Sequence, residues 1–197
     1  MKTLSAPLIS LAVLAAAGLV AASGAAHAQA AVAKLVPAQS EIGFVSKQMG
    51  VPVQGKFKKF DAQVAFDPKK PETGKIAFAI DTGSATIGDR ETDAEMVKPE
   101  WFDVAKFPQA TFQSTTIKAL GGGRFEVAGK LGIKGNSRDV LVPVTLTQAG
   151  GSSTATGAFA IKRLEFKIGA GEWGDTSMVA DEVQVKFKLT LTGVGAL

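Results

Sequence analysis

Residues 84–115 read SATIGDRETDAEMVKPEWFDVAKFPQATFQST, and they alone interrupt a chain that otherwise alternates like strand. Within them Thr92-Asp93-Ala94-Glu95 has the form of a capping box: the Thr hydroxyl can accept from the backbone N–H three residues on, and the Glu carboxylate can reach back. A short helix is therefore expected to start at Thr92. Pro99 cannot donate a backbone hydrogen bond and suits a first helical position, which predicts a second helical turn that Phe107-Pro108 stops. The two turns carry Met96, Trp101, Phe102 and Phe107, four apolar side chains that need something to cover. The stretch reads as a plug or lid on a sheet, with Trp101 and Phe102 at an entrance and Phe107 anchoring its far side.

Outward from this insert, every segment alternates with a period of two. Ile42 and Phe44 mark the first strand. Phe57 belongs to the second, followed by Phe60, Ala62, Val64 and Phe66, with a change of phase at Lys58-Lys59 that predicts a bulge. Ile76, Phe78 and Ile80 precede the insert. After it come Phe112 to Leu120, Phe125 to Ile133, Val140 to Leu146, Phe159 with Ile161, and Val183 to Leu191, separated by turns at Gly121-Gly122-Gly123, Gly135-Asn136 and Gly150-Gly151. Eight or so antiparallel strands at hairpin spacing, each with one apolar face, make a sandwich or a closed barrel. Alternation points Phe44, Phe66, Phe78, Ile80, Phe112, Leu131 and Phe159 inward.

Residues 1–28 have the composition of a secretory signal peptide, with Lys2 as the positive start, an apolar run over 8–22 and an Ala26-His27-Ala28 cleavage site. No Cys stands at that site to take a lipid. The remaining 169 residues suffice for one domain with a sizeable core. Removing Lys2 leaves 21 basic against 18 acidic residues, a net charge of +3 that is too evenly mixed to indicate nucleic acid. The lysines between Lys56 and Lys75 leave room for a transient contact with an anionic membrane surface.

Absences narrow the chemistry. His27 is the one histidine and there is no cysteine, so a thiol nucleophile, a Ser-His-Asp triad, a His general base and a His- or Cys-bound zinc or haem are excluded. Asp89, Glu91, Asp93 and Glu95 lack the order and the Gly of a calcium-binding EF-hand loop, and helix capping accounts for them. Twelve Phe and no Tyr give aromatic faces without a polar handle, as an apolar interior requires. A barrel of about eight strands can either fill itself with side chains or hold one small ligand, and composition leaves both open.

Several blocks in order resemble the YceI family of exported, lipocalin-like proteins that bind polyisoprenoid lipids. They are Pro37-Ala38-Gln39-Ser40-Glu41-Ile42-Gly43-Phe44, Lys47-Gln48-Met49-Gly50 with Gly55-Lys56-Phe57, Glu100-Trp101-Phe102-Asp103-Val104, residues 107–115, residues 129–135, and residues 163–169 on to Asp181-Glu182-Val183. The chain departs from that family where many members carry histidines, here Gln39 and Lys47 or Gln48, and in the turn at Asn136-Ser137-Arg138.

The resemblance implies an all-β, lipocalin-like antiparallel β-barrel of about eight strands with a short helical insert, formed by residues 29–197 in the periplasm. It implies an apolar lining from Ile42, Phe44, Phe66, Phe78, Ile80, Trp101, Phe102, Phe107, Phe112, Leu131, Phe159 and Ile161 that holds a polyprenyl chain or isoprenoid quinone, with no catalytic residue, metal or cofactor. Two other readings stand beside it. One is a packed barrel serving as an interaction module for a membrane redox or stress-response system, and the other is a hydrolase or isomerase using the carboxylates of the insert. A homodimer stays open.

Overall fold

The computed structural model describes residues 32–197, so the expected signal peptide over 1–28 lies outside the described residues. The strands are β1 (Val32–Leu35), β2 (Glu41–Gln48), β3 (Val51–Phe57), β4 (Phe60–Ala65), β5 (Lys75–Asp81), β6 (Ala85–Thr86), β7 (Gln109–Gly121), β8 (Arg124–Ile133), β9 (Asn136–Ala149), β10 (Ser152–Lys162) and β11 (Glu182–Thr192), with one helix, α1 (Arg90–Met96). All the pairings are antiparallel, and β1 pairs with both β4 and β11, which closes the sheet. Because β1 and β2 both pair with β11, β2 pairs with β3, and β3 pairs with β6, the first six strands are three long strands, each broken once. The result is a closed eight-stranded up-and-down barrel.

Each break is held by a hydroxyl. Between β1 and β2, Ser40 Oγ donates to the Val36 carbonyl at 2.8 Å and accepts from Thr190 N–H at 2.9 Å, which staples the bend to β11. Between β5 and β6, Ser84 Oγ donates to the Asp81 carbonyl at 2.7 Å and accepts from Lys59 N–H at 3.0 Å, so the β3–β4 and β5–β6 breaks lie side by side. Lys58-Lys59 is thus a break in the strand, where the change of phase predicted a bulge.

The strand ends that carry residues 87–108, the 49–50 hairpin, the 134–135 turn and the 163–181 loop form one end of the barrel, the upper end. The turns at 67–74, 122–123 and 150–151 form the lower end. Above Thr86 the wall between β3 and β7 is no longer sheet, because β6 stops there and β7 starts opposite Asp81; the insert stands in that place.

Two local expectations for the insert are corrected. The cap of α1 is Asp89, whose Oδ2 accepts from Thr92 N–H at 3.0 Å and from Thr92 Oγ1 at 2.6 Å, so the helix starts at Arg90 and Thr92 lies inside it. Asp93 fixes that choice, since it accepts from Thr86 Oγ1 and Ile87 N–H and ties the first turn to β6. Beyond Met96 there is no second helix at Pro99. The chain folds through hydrogen-bonded turns, with the N–H groups of Trp101 and Asp103 both directed at the Lys98 carbonyl and those of Lys106 and Phe107 at the Asp103 carbonyl. Asp103 takes a left-handed φ of 49°, which no helix can continue.

Candidate functional site: an apolar cavity under a tethered insert

Inward alternation around the ring encloses a cavity of about 180 Å³ whose 25 lining residues are all apolar. Eight of the twelve phenylalanines face it. A cavity with no polar group to hold water stays dry, as even engineered ones of roughly 150 Å³ do. Its walls therefore lack contacts that an apolar guest would restore.

Nine of the twelve residues expected at the lining are there: Ile42, Phe66, Phe78, Ile80, Phe102, Phe112, Leu131, Phe159 and Ile161. Three stand outside it. The Phe44 ring lies over Gly55, against Phe57 at 5.7 Å between centroids, on the same face as Ile42 but nearer the rim. Trp101 turns to Trp173, with ring centroids 5.6 Å apart, and packs beside Gly169. Phe107 rests on Gly135 in the turn between β8 and β9, which does anchor the insert but away from the cavity. The lining also takes in residues not singled out from sequence, among them Phe57, Phe125, Val185 and Phe187. Their signal was the alternation itself, since Phe187 shares its face with Leu189 and Leu191.

The insert closes the upper end through Phe102, which meets Phe57 edge-on at 6.0 Å. Two cations tether it and the facing loop. Lys134 Nζ donates to the carbonyls of Pro99 at 2.6 Å and Glu100 at 3.3 Å in the insert and to Lys167 at 2.8 Å in the loop, and burial pushes its pKa down, partly opposed by Asp103 and Glu100. Gly169 N–H adds a 2.8 Å bond to the Glu100 carbonyl. Glycine is required at 169, because a side chain there would combine a φ of +61° with contact at 2.6 Å to Arg163.

Arg163 is 2% exposed and lies in no ion pair among the described residues. All five of its donors are nonetheless satisfied by backbone carbonyls: Nε by Ala180 at 3.1 Å, Nη1 by Ile168 at 2.9 Å and Gly169 at 2.7 Å, Nη2 by Trp173 and Val179, both at 2.7 Å. Desolvation lowers its pKa, against the attraction of Asp181, but a guanidinium stays charged. One side chain thus shapes residues 168–180 around itself. Arg163 opens one of the blocks that resemble the family, but nothing in that block gives its role, since its partners are main-chain atoms.

Of the carboxylates at the start of the insert, Asp89 caps α1, Asp93 accepts from Thr86 and Ile87, and Glu95 pairs with Lys98. Hydrogen bonds from Thr92 hold Asp89 below the usual carboxylate range, and those from Thr86 and Ile87 do the same for Asp93, so both are ionised acceptors at neutral pH. Neither lines the cavity.

The architecture has known counterparts. A solved structure of Burkholderia cenocepacia BcnA is 48% identical, with a TM-score of 0.78 over 80% of this chain and 99% of that one. A domain from Saccharophagus degradans, described as polyisoprenoid binding, shares the fold at a TM-score of 0.65 and 17% identity, covering 84% of this chain and 99% of that one. A curated UPF0312 protein of Yersinia pestis is 36% identical over 110 residues, which is 55% of this chain and 57% of the relative. One from Azotobacter vinelandii is 34% identical over 88 residues, 45% of this chain and 46% of the relative. The chain spans about half the length of these two curated relatives in those matches. The model of the YceI-like domain matches residues 34–191, from β1 through nearly all of β11, and on that match the chain belongs to the YceI-like family.

Proposed function

We propose that this chain binds a long isoprenoid lipid, a polyprenyl chain or an isoprenoid quinone, inside the barrel, and that it does so in the periplasm as a carrier and not as an enzyme. The observation that carries the reading is the wholly apolar cavity. Each methylene moved from water into such a site gains about 0.8 kcal/mol, so a tail of about 20 carbons approaches 16 kcal/mol gross before the costs of ordering are subtracted. Hydrophobic contact alone then suffices for binding, and a lining without a polar atom offers no group to a reaction. The description of the Saccharophagus degradans domain with the same barrel supports the ligand class. The A-x-A site at Ala26-His27-Ala28 supports export.

The unfilled interior weighs against an interaction module that offers only its surface, since a module gains nothing from forgoing core contacts. The insert is the element that opens. It replaces sheet in the wall, has a single two-turn helix, and is held to the barrel by a few bonds at Lys134, Gly169, Thr86 and Thr82, whose Oγ1 donates to the Phe107 carbonyl at 2.8 Å. Organic extraction of protein isolated from its native compartment, followed by mass spectrometry, should yield an isoprenoid in stoichiometric amount. Repeated recovery of protein with no extractable lipid, together with failure to take up ubiquinone or polyprenol added in solution, would overturn the reading.

A further inference from the structure

Of the large apolar side chains exposed at the upper end and not used by the cavity, Val97 (39%) lies on the insert and four others are Met49 (71%), Val51 (63%), Met178 (47%) and Trp173 (40%). These four come from segments more than a hundred residues apart, yet the backbone ties them to one rim. Met49 N–H donates to the Met178 carbonyl at 2.9 Å, Ala180 N–H donates to the Lys47 carbonyl at 2.9 Å, and Gln48 bridges to Val179. Arg163 Nη2 holds the carbonyls of both Trp173 and Val179 and so keeps Trp173 near Met178. Single exposed apolar residues need no explanation, but a fixed cluster does.

The turn chemistry points the same way. Met49 (φ 47°) and Gly50 (φ 81°) form the two-residue link between β2 and β3, a left-handed position that Asn, Asp or Gly fill without strain. Methionine carries the backbone cost there and packs little of its side chain in return. The tips at residues 49–52 and 176–180 carry no charge, while Glu172 and Asp175 flank Trp173; the lower end, which also exposes Val32, Leu120 and Leu197, presents Lys69, Lys70 and Arg124 at its turns. The rim is also continuous with the interior: Trp173 meets Trp101, and the next residue, Phe102, lines the cavity against Phe57.

We propose that this rim is a docking face for a lipid bilayer, with Met49, Val51, Trp173 and Met178 entering the interfacial layer and the insert facing the membrane. A cluster of tryptophan and aliphatic side chains with polar residues beside it is the composition that partitions into that layer. A bilayer is the occupant because the cluster leads by an aromatic path to a cavity that takes only apolar guests, and a tail passing through it need never enter water. The purpose of docking rests on the isoprenoid reading above, but the docking itself does not.

The test is flotation of the processed chain with vesicles of phosphatidylethanolamine and phosphatidylglycerol and with vesicles of phosphatidylcholine alone. Both should carry the protein. In a Trp101→Phe variant Trp173 is the sole tryptophan, and its emission should shift to the blue on adding vesicles. The double variant Met49→Asn with Met178→Gln should partition at least about tenfold less. It should fold as stably as the parent, because Asn suits the left-handed turn. It should also take up ubiquinone added from ethanol at the parent's rate while loading slowly from vesicles that contain ubiquinone. If the parent does not float, if the double variant floats equally well, or if the substitutions only abolish a dimer seen by light scattering, the face is not a bilayer-docking face. A parent that floats but takes up no isoprenoid by any route retains the docking assignment and loses the ligand.

Discussion

The lower and upper halves of the barrel carry the same alternation and differ in what fills it. Low on β10 and β11, the inward Ser153, Ala155, Leu189 and Leu191 are buried, whereas higher on the same two strands Phe159, Ile161, Val185 and Phe187 are only half-buried, although Ala155, Leu189 and Leu191 border the same cavity as these four. Below, Phe66 and Phe125 meet edge-to-face at 5.1 Å under the 67–74 turn, and aromatic faces close the end by packing on one another. Above, larger side chains line the walls, yet only Phe102 reaches in from the insert to meet them. Ring size does not determine whether a barrel is solid; what the end-capping segment sends inward does.

The comparison can be broken most directly by truncating one ring in each half of ligand-free protein. Phe125→Ala should cost about 3–5 kcal/mol, because that ring, although it borders the cavity, is almost fully buried and packs edge-to-face on Phe66. Phe159→Ala should cost under about 2 kcal/mol, since that ring already borders empty space. Urea unfolding of the two variants measures both. Equal losses would mean that the upper half is packed in solution and the difference between the halves is not real.

Gly157 sharpens the boundary between the halves. A Cβ there would lie 2.4 Å from Phe187 Cζ and 2.4 Å from the Pro143 carbonyl oxygen, so Gly157→Ala must push the Phe187 ring further into the cavity. The expected cost is about 1–3 kcal/mol, with a fall in the longest isoprenoid retained, read by mass spectrometry of extracts after exposure to a mixture of chain lengths. Unchanged selection among lengths would show that the ligand does not reach this level.

Much of the barrel was legible because a period of two assigns faces without knowledge of partners. Where a strand breaks is another matter. The bends at Ser40 and Ser84 depend on Thr190 and Lys59, which come from strands 150 and 25 residues away in sequence, so a serine on its own signals nothing. Asp89 and Thr92 are both sound helix caps by chemistry, and the decision between them fell to Asp93 pairing with Thr86, a tertiary contact. Trp101 and Phe107 were expected on the lining because they are large and apolar within an insert, but glycines at 169 and 135 offered them places outside it. Hollowness could not be read at all, since parity is the same for a filled and an unfilled interior.

A smaller effect separates the tether from the wall. Lys134→Met removes the donor shared by the insert and the 163–181 loop at a cost of about 1 kcal/mol, given that the ammonium is exposed in part. Release of bound ubiquinone, followed by transfer to acceptor vesicles, should quicken several-fold while the urea midpoint moves little. If release is unchanged, residues 97–108 do not open as a unit.

The smallest effect expected is acid loosening of the upper end alone. Asp89 and Asp93 have folded pKa values below their ordinary 3.8, through hydrogen bonds from Thr92 and from Thr86 with Ile87. In that window the unfolded segment binds more protons than the folded one. Their contribution is therefore fully present above the ordinary value and is lost as pH falls from about 4 through the lowered folded values. Both carboxylates are solvent-exposed, so the contribution is modest and should be read locally, not from global unfolding. Amide exchange over 87–96 should accelerate as pH drops through that window, after correction for the intrinsic rate, while β8 and β11 near Phe125 and Leu191 keep their protection. Asp93→Asn should flatten the response, since an amide cannot titrate and still offers one oxygen to Thr86. Should the lower strands lose protection first, or 87–96 hold firm throughout, the insert is not the less stable of the two ends, and a guest must enter by parting the strands themselves.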